Sequence, residues 1–463
     1  MIIMKKILLI NPPMEELYKE AKVKDSVPHY PPLNLLIIGR PLLDNNHRVK
    51  LIDLNYKNFN DFKKEIETFK PTHIGITFTT PLYSQILKIT KIIKTIDEDI
   101  IIVAGGVHIT SLPKQTLEES KIDIGVIGEG EETFLEILTK PLKEIKGIVY
   151  KKEGKVIMNE RRPLIKDLDN IPFPAYELID IQTYKVPHTY CKKNPVGVIE
   201  TSRGCVYGCV YCNKSVFGRN FRIKSPIKVI EEVKKLIKIG YKEIHILDDG
   251  FTTDMGRAKK ICELLLKEKI KLYWNCPNGI RADRVNKELL KVMKDAGFYR
   301  VSFGVESGSQ RILDNIKKGE TLDVIKNAFK LCKKLGIETT AFFMFGLPGE
   351  TEKDIKTSIK FAKEINPDIA KFDIMIPLPS TPIFDKWKSK GIIISTRWDD
   401  YGFYKGNKVY EHPNLSWRVM RRYLNKAYKS FYFSPKFLIR RLVRSLITGN
   451  IIKDVTMFVK IKW

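Results

Sequence analysis

Apolar residues in the first 140 positions fall into short, near-continuous runs separated by amphipathic stretches. KKILLINPP (5–13), RVKLIDLN (48–55), THIGITFTT (72–80), DIIIVAGG (99–106) and DIGVIGEG (123–130) read as strands. LNLLIIGRPLLDN (33–45), SQILKITKIIKTI (84–96) and EETFLEIL (131–138) read as helices. Strands that are apolar on both faces belong to a parallel sheet covered by helices on each side. The pattern is therefore α/β, a doubly wound sheet whose ligand crevice lies beyond the carboxyl ends of its strands. Four strand ends carry small or turn-forming residues: Asn11–Pro13, Thr77–Thr80, Gly105–Thr110 and Gly128–Thr133. All would share one rim, which is where a cofactor would sit.

KGIVYKKEGKVIMN (146–159) predicts a hairpin turning at Glu153–Gly154, and a proline-punctuated linker follows. From about Gly197 a second alternation begins. VGVIETSRG, EIHILDDGF, KLYWNCPNGIRAD, RVSFGVESGS, IETTAFFMFGLPGE and IAKFDIMIPLPSTP are strand-like, with helices such as 226–239 and 321–335 between them. Six such units describe a partial (β/α)6 barrel of the TIM type, with its chemistry on the top face. Beyond about residue 400 the chain turns aromatic, basic and helical. The expected organisation is a first sheet over 1–140, a hairpin and linker over 141–194, a barrel over 195–400 and a helical extension over 401–463.

A length of 463 residues exceeds what one hydrophobic core normally serves, which agrees with two domains and an appendage. No run approaches the roughly eighteen consecutive apolar residues of a spanning helix. The start, MIIMKKILLINPP, has too short an apolar stretch for a signal peptide and meets Pro12–Pro13 at once, so it reads as a buried strand. Seven irregularly spaced cysteines then point to a reducing cytoplasm. The net charge of +27 suits nucleic-acid binding or simply a lysine-rich proteome. Nucleic acid is disfavoured because it accounts for the charge and for none of the motifs below.

TSRGCVYGCVYC (201–212) sets Cys205, Cys209 and Cys212 in a C-x3-C-x2-C run just after a predicted strand. A structural zinc site wants four ligands, usually two separated pairs, and Cys191, Cys262, Cys276 and Cys332 are scattered. Three cysteines among glycines are also poor packing units. Three thiolates on a tight loop can hold three corners of a cubane 4Fe–4S cluster and leave its fourth iron open.

This run, at the end of the first barrel strand, resembles the signature of the radical S-adenosylmethionine superfamily. The resemblance covers roughly 195–390. It implies an open iron chelated by S-adenosylmethionine, whose sulfonium is split to release a 5′-deoxyadenosyl radical. It implies adenine packing at Tyr211, and contacts to the methionine moiety at Asp248 or Asp249 in LDDGF (247–251), where the family more often has Gly–Glu–Glu. Ser302 and Glu306 in SFGVESGS (302–309) match its ribose- and sulfonium-side segment. Gly346 in FMFGLPGET (343–351) matches the glycine motif that lets backbone approach adenine. Asn275 and Arg281 face the site in related sequences. Cys276 reads as a core residue or a hydrogen donor; Cys262 and Cys332 read as core.

The first 140 residues resemble the cobalamin-binding domain of the class B radical methylases, through HYPPLNLLIIGRPLLDNNHRVKLIDLN (29–55), GGVHIT (105–110) and GEGEET (128–133). The alternative of a second cluster, as in methylthiotransferases, lacks any cysteine before Cys191. The resemblance places cobalamin against Asn11, Pro12, Thr77, Thr79, Gly105, Gly106, His108, Gly128, Glu129 and Gly130. The Asp-x-His-x-x-Gly motif that gives cobalt a lower histidine is absent, as it commonly is in this class, and His108 is expected near the nucleotide tail. A nucleotide or flavin in the same crevice is the alternative.

The resemblance implies a cytoplasmic, anaerobic radical enzyme that transfers a methyl group from cobalamin to an unactivated carbon. It would draw electrons from a donor such as ferredoxin or flavodoxin. Its alternatives are ring closure, oxidation or rearrangement with the same cofactors, and, in another class, a non-catalytic corrinoid or cluster carrier. In the tail, NLSWRVMRRYLNKAYKSFYF and SPKFLIRRLVRSLITGN read as helices capped at Ser416 and Ser434. From Trp417 to Trp463 twelve Lys and Arg stand against one acid, Asp454. The Trp417, Met420, Leu424, Ala427, Phe431 stripe fits either a cap on the barrel or peripheral contact with an anionic membrane, which would favour a lipid or isoprenoid among small-molecule substrates.

Overall fold

A computed structural model describes residues 4–18, 28–402, 406–449, 451 and 455–456. Its first sheet contains β1 (Lys6–Asn11), β2 (Arg48–Asp53), β3 (His73–Thr77), β4 (Ile101–Gly105), β5 (Ile124–Val126), β6 (Ile148–Lys152) and β7 (Lys155–Met158). The strand order is β2-β1-β3-β4-β5-β6-β7, with β1 to β5 parallel. The five expected parallel strands are all present. Their order reverses between β1 and β3, so the switch-point crevice opens between the ends of those two strands.

The expected hairpin turns at Glu153 and Gly154, both at positive φ (51° and 75°), the backbone of a tight two-residue turn. It does not stand apart: β6 pairs antiparallel with β5 and extends the sheet. A helix over Phe59–Phe69, absent from the sequence reading, fills the crossover from β2 to β3, closed by a capping box between Asn58 and Asp61.

The second sheet holds β8 (Val196–Ile199), β11 (Glu243–Ile246), β12 (Tyr273–Ile280), β13 (Phe298–Glu306), β14 (Glu338–Phe345) and β15 (Ile369–Ile374), all parallel, in the order β15-β14-β13-β12-β11-β8. Between β8 and β11 a small antiparallel ribbon joins β9 (Ser202–Arg203) to β10 (Arg222–Ile223). β8 and β15 are not paired with each other, so the barrel is open, as the six-unit pattern predicts.

The helix Trp417–Tyr432 covers the β15 edge. It buries Met420, Tyr423, Ala427 and Phe431, and the Tyr428 and Tyr432 hydroxyls accept the Phe372 and Ala370 N–H groups. Those bonds satisfy an edge that would otherwise invite pairing. The cap reading therefore holds for this helix. The following helix, Pro435–Thr448, behaves differently. Leu438, Ile439, Leu442, Val443 and Leu446 are exposed, while Arg444 reaches inward to Glu338 and Asp368 and Arg440 to the Asn366 and Pro367 carbonyls. Four of the charges counted in the tail, Lys453, Asp454, Lys460 and Lys462, lie outside the described residues.

Candidate active site

β8 ends on the top face of the barrel, and the chain then runs through the ribbon into a loop, 204–221, that carries all three cysteines. Several contacts hold this loop. Val210 N donates to Ile316 O at 3.1 Å and Ile383 N donates to Val210 O at 3.0 Å. Lys214 Nζ donates to Cys205 O at 3.0 Å, and the Arg281 guanidinium lies 3.7 Å from the centre of the Tyr207 ring. All three cysteines are free thiols. Burial, and then the neighbouring Cys209 and Cys205, push the Cys212 thiol up to about 12. Among the described residues no group of three His, Cys, Asp or Glu side chains is drawn around a single ion. A cubane asks something else, since each cysteine binds a different iron and the sulfurs stand around a body rather than a point. The donor set fits a cluster.

Tyr211, between the second and third cysteines, lies beside Glu306 at the end of β13; burial and then the Glu306 carboxylate raise its hydroxyl far above the usual range. Glu306 sits at φ +64° and pairs with Lys318 at 3.2 Å, which in turn lies 3.4 Å from Glu320. Burial works to lower the Lys318 value, but the Glu306 and Glu320 carboxylates outweigh it and hold Lys318 above the ordinary lysine range. Two of the predicted contacts, Tyr211 and Glu306, are thus brought together beside the thiols. Lys318 escaped the sequence reading because a lysine in a Lys-rich segment carries no signal of burial.

The acidic pair divides. Asp248 spends both oxygens within the protein, on Thr201 N (2.6 Å), Thr201 Oγ1 (2.5 Å) and Ser202 Oγ (2.6 Å), and so ties the loop to β11. Asp249 is exposed, with its carboxylate near the Gly204 N–H and Lys214, and it is the member of the pair open to a ligand. Ser302 is buried on β13. Gly346 needs its missing side chain for another reason than a cofactor: at φ +79° a Cβ would strike the Tyr410 hydroxyl and sit 2.7 Å from Met420 Sδ. Asn275 does not face the site. It bonds His245 at 2.9 Å and Tyr299 at 2.8 Å in a buried network with Glu243 and Tyr30. Cys276, Cys262 and Cys332 are core residues, as expected.

On the rim of the first sheet, Asn11 donates to Asp53 at 3.0 Å, Pro12 is buried, Thr77 accepts from Asn34 at 3.0 Å, and Thr79 is exposed. A Cβ on Gly105 would meet nothing within 4 Å, and one on Gly128 would meet only the Val216 carbonyl at 3.8 Å. Gly105 thus leaves open space above its strand end, while Gly128 lies in van der Waals range of the cysteine loop. Gly106, at φ +101°, serves the rim itself, its Cβ position 2.7 Å from Phe78 O, and Gly130 packs toward Ile38.

Two expected cobalamin contacts are otherwise engaged. His108 is 1% exposed, bonded to Thr80 at 3.2 Å and enclosed by Phe78, Tyr83 and Trp398, so its ring does not reach the crevice. Glu129 is buried and bound to Arg203 at 2.7 Å and Arg222 at 2.8 Å in the cysteine-loop ribbon. A histidine or glutamate in a glycine-rich motif reads as a ligand contact when its partner lies 28 residues before it, as Thr80 does for His108, or 74 after it, as Arg203 does for Glu129.

Comparison with known proteins agrees with this geometry. The description of the radical SAM superfamily matches residues 199–362, and that of the B12 binding domain matches residues 23–138. An uncharacterised methyltransferase of Pyrococcus horikoshii is 36% identical, covering 96% of this chain and 98% of its own. The anaerobic magnesium-protoporphyrin IX monomethyl ester cyclase of Rubrivivax gelatinosus is 30% identical over 80% of this chain and 69% of its own. Among solved structures, the cobalamin-dependent S-adenosylmethionine radical enzyme OxsB, with aqua-cobalamin bound, superposes with a TM-score of 0.75 at 19% identity, over 99% of this chain and 72% of that one. That last likeness establishes the shared fold.

Proposed function

The chain belongs to the cobalamin-dependent radical S-adenosylmethionine methyltransferase family, and from that premise we propose that it methylates an unactivated carbon of a small molecule or lipid. Bound at the sites described, a 4Fe–4S cluster would supply the electron that splits S-adenosylmethionine, and cobalamin the methyl group. Cys205, Cys209 and Cys212 would ligate the cluster. Tyr211, Glu306, Lys318 and Asp249 would orient S-adenosylmethionine beside it, with Ser302 and Gly346 lining the barrel top. Thr79, Gly105 and Gly128 would border the corrin. On this reading residues 1–140 serve cobalamin and 195–400 the radical chemistry, with a ferredoxin- or flavodoxin-like donor.

The observation that carries the reading is the position of Gly128. A Cβ built on Gly128 would come within 3.8 Å of the Val216 carbonyl, ordinary van der Waals range, so the β5 end of the first sheet and the cysteine loop of the barrel stand directly against each other. Bringing two reactive centres to one substrate is the positioning that such chemistry needs.

The exposed face of the last described helix supports membrane contact. That helix holds the barrel through its arginines and turns Leu438, Ile439, Leu442, Val443 and Leu446 outward, in a segment rich in cations, which suits the interface of an anionic bilayer. No described helix is long and apolar enough to cross a membrane. A cytoplasmic protein resting on a membrane surface is the location we propose.

Ring closure is the second reading, favoured by the cyclase relative. Reductant and methyl-labelled S-adenosylmethionine, added to anaerobically reconstituted protein and a cell extract, separate the two. Methylation predicts 5′-deoxyadenosine together with label in an extract component. 5′-Deoxyadenosine without transferred label favours the cyclase reading, and the absence of both refutes the proposal.

A further inference from the structure

The cysteine loop, 204–221, is closed at its base by the ribbon, where Arg203 on β9 stands opposite Arg222 on β10. Glu129, which belongs to the other sheet, holds both strands of that closure. Its Oε1 accepts from Arg203 Nη1 at 2.7 Å and from Arg222 Nη1 at 2.8 Å, while Oε2 accepts from Ile165 N at 2.7 Å. Glu131 takes the other arm of Arg203 at 2.6 Å, and Glu200 takes its Nε at 2.6 Å. The guanidinium meets three carboxylates while only 2% exposed, and it stacks 5.0 Å from the Phe217 ring of the loop it anchors. Gly204 follows at φ +83°, packed against the Asn220 backbone, so the chain leaving Arg203 for Cys205 is held closely on both sides.

A second contact grips the far side of the loop. Asn213, one residue after the third cysteine, donates to Ser111 Oγ at 3.0 Å and to Pro379 O at 2.7 Å. Ser215 Oγ lies 3.2 Å from the same Ser111 Oγ. Ser111 follows β4, and Glu129 follows β5. Neighbouring strand ends of the first sheet therefore reach two separate points on the loop.

Buried ion networks cost much desolvation and add little stability over apolar packing of equal volume; fixing a single geometry is one use that proteins make of them. An arginine that forks to three carboxylates fixes both distance and plane. We infer that the rim of the first sheet positions the cysteine loop. Glu129 and Glu131 act through Arg203 and Arg222 at its base, and Ser111 acts through Asn213 and Ser215. Together they set the height and tilt of the cluster above the corrin crevice. These are positioning residues, and none touches the reacting atoms. The identities of the two cofactors rest on the function proposed above; the geometry does not.

The test compares the full chain, purified anaerobically with both cofactors, with Glu129→Gln and Ser111→Ala. Glu129→Gln keeps the shape and loses the charge, and Ser111→Ala removes a small contact without stranding a buried ion. Two readouts are followed: amide exchange of 204–221, and the magnetic interaction between reduced cluster and cob(II)alamin in the paramagnetic resonance spectrum. The inference expects exchange at least roughly tenfold faster across 204–221 with β11 to β15 unaltered, and a broadened interaction. Loss of a merely stabilising ion pair would speed exchange in β11 to β15 as well and leave the magnetic interaction unchanged. Unchanged exchange and unchanged interaction in both variants overturn the inference, and Ser111→Ala decides by the same readouts should Glu129→Gln not fold. Wild-type protein that takes up no cluster or no cobalamin would instead overturn the proposed function, and the exchange readout would still judge this inference.

Discussion

Arg203 Nη1 lies 2.7 Å from Glu129 Oε1, a pair whose side chains are each 3% exposed and which joins the cysteine loop to the rim of the other sheet. Two residues later the chain reaches Cys205. The elements that would carry the two cofactors are therefore connected through buried charge as well as through apolar contact.

Removing that cation strands its partners. Arg203→Ala leaves Glu129, Glu131 and Glu200 without their shared guanidinium, and the expected loss is about 3–5 kcal/mol, the range for breaking a buried pair. Arg203→Lys recovers only part of it, because an ammonium cannot fork to three carboxylates at once. Denaturant midpoints of the three proteins check the order wild type, lysine, alanine.

Gly346→Ala tests the packing of the extension on the barrel. The backbone there has φ +79°, and the added methyl would collide with Tyr410 and sit 2.7 Å from Met420 Sδ. A loss of about 1–3 kcal/mol is expected from overpacking together with the left-handed backbone. The double variant Gly346→Ala with Tyr410→Phe should recover part of that loss, which melting curves would show.

His108 makes the first sheet sensitive to acid. Burial lowers its folded-state value from 6.5 to about 4. The unfolded chain therefore binds the proton first. The contribution is complete above about 6.5 and is lost progressively as pH falls toward 4. His108→Phe should reduce proton uptake on unfolding at pH 5 by about one, read from the slope of stability against pH.

The outward apolar face of helix Pro435–Thr448 predicts binding to anionic vesicles. Ile439 and Leu442, 65% and 57% exposed, are the residues to change. Ile439→Asp with Leu442→Asp should abolish co-sedimentation with phosphatidylglycerol vesicles and leave the melting temperature unaltered. Arg444→Ala, which removes a cation shared by Glu338 and Asp368, should instead lower it.

Every parallel strand of both sheets could be read from the sequence, because runs apolar on both faces have few other uses. The cysteine loop was equally plain, since its spacing is local. What escaped is non-local. Glu129 and His108 sit in a glycine-rich rim that looks like ligand-binding backbone, yet their side chains answer to Arg203, Arg222 and Trp398, far along the chain. Asp248 and Asp249 are neighbours with opposite fates, one consumed by Thr201 and Ser202 and the other exposed, and nothing in the pair of letters separates them. The hairpin was legible as a hairpin, but its pairing with β5 depends on a sheet edge that only the fold supplies.

The most direct measurement is Mössbauer spectroscopy of the anaerobically reconstituted, iron-57-enriched protein, before and after S-adenosylmethionine is added. A cluster held by Cys205, Cys209 and Cys212 predicts that about one iron in four changes its signal on addition, and that Cys209→Ala assembles no such cluster. Four equivalent irons indifferent to S-adenosylmethionine, or zinc in place of iron, would contradict it.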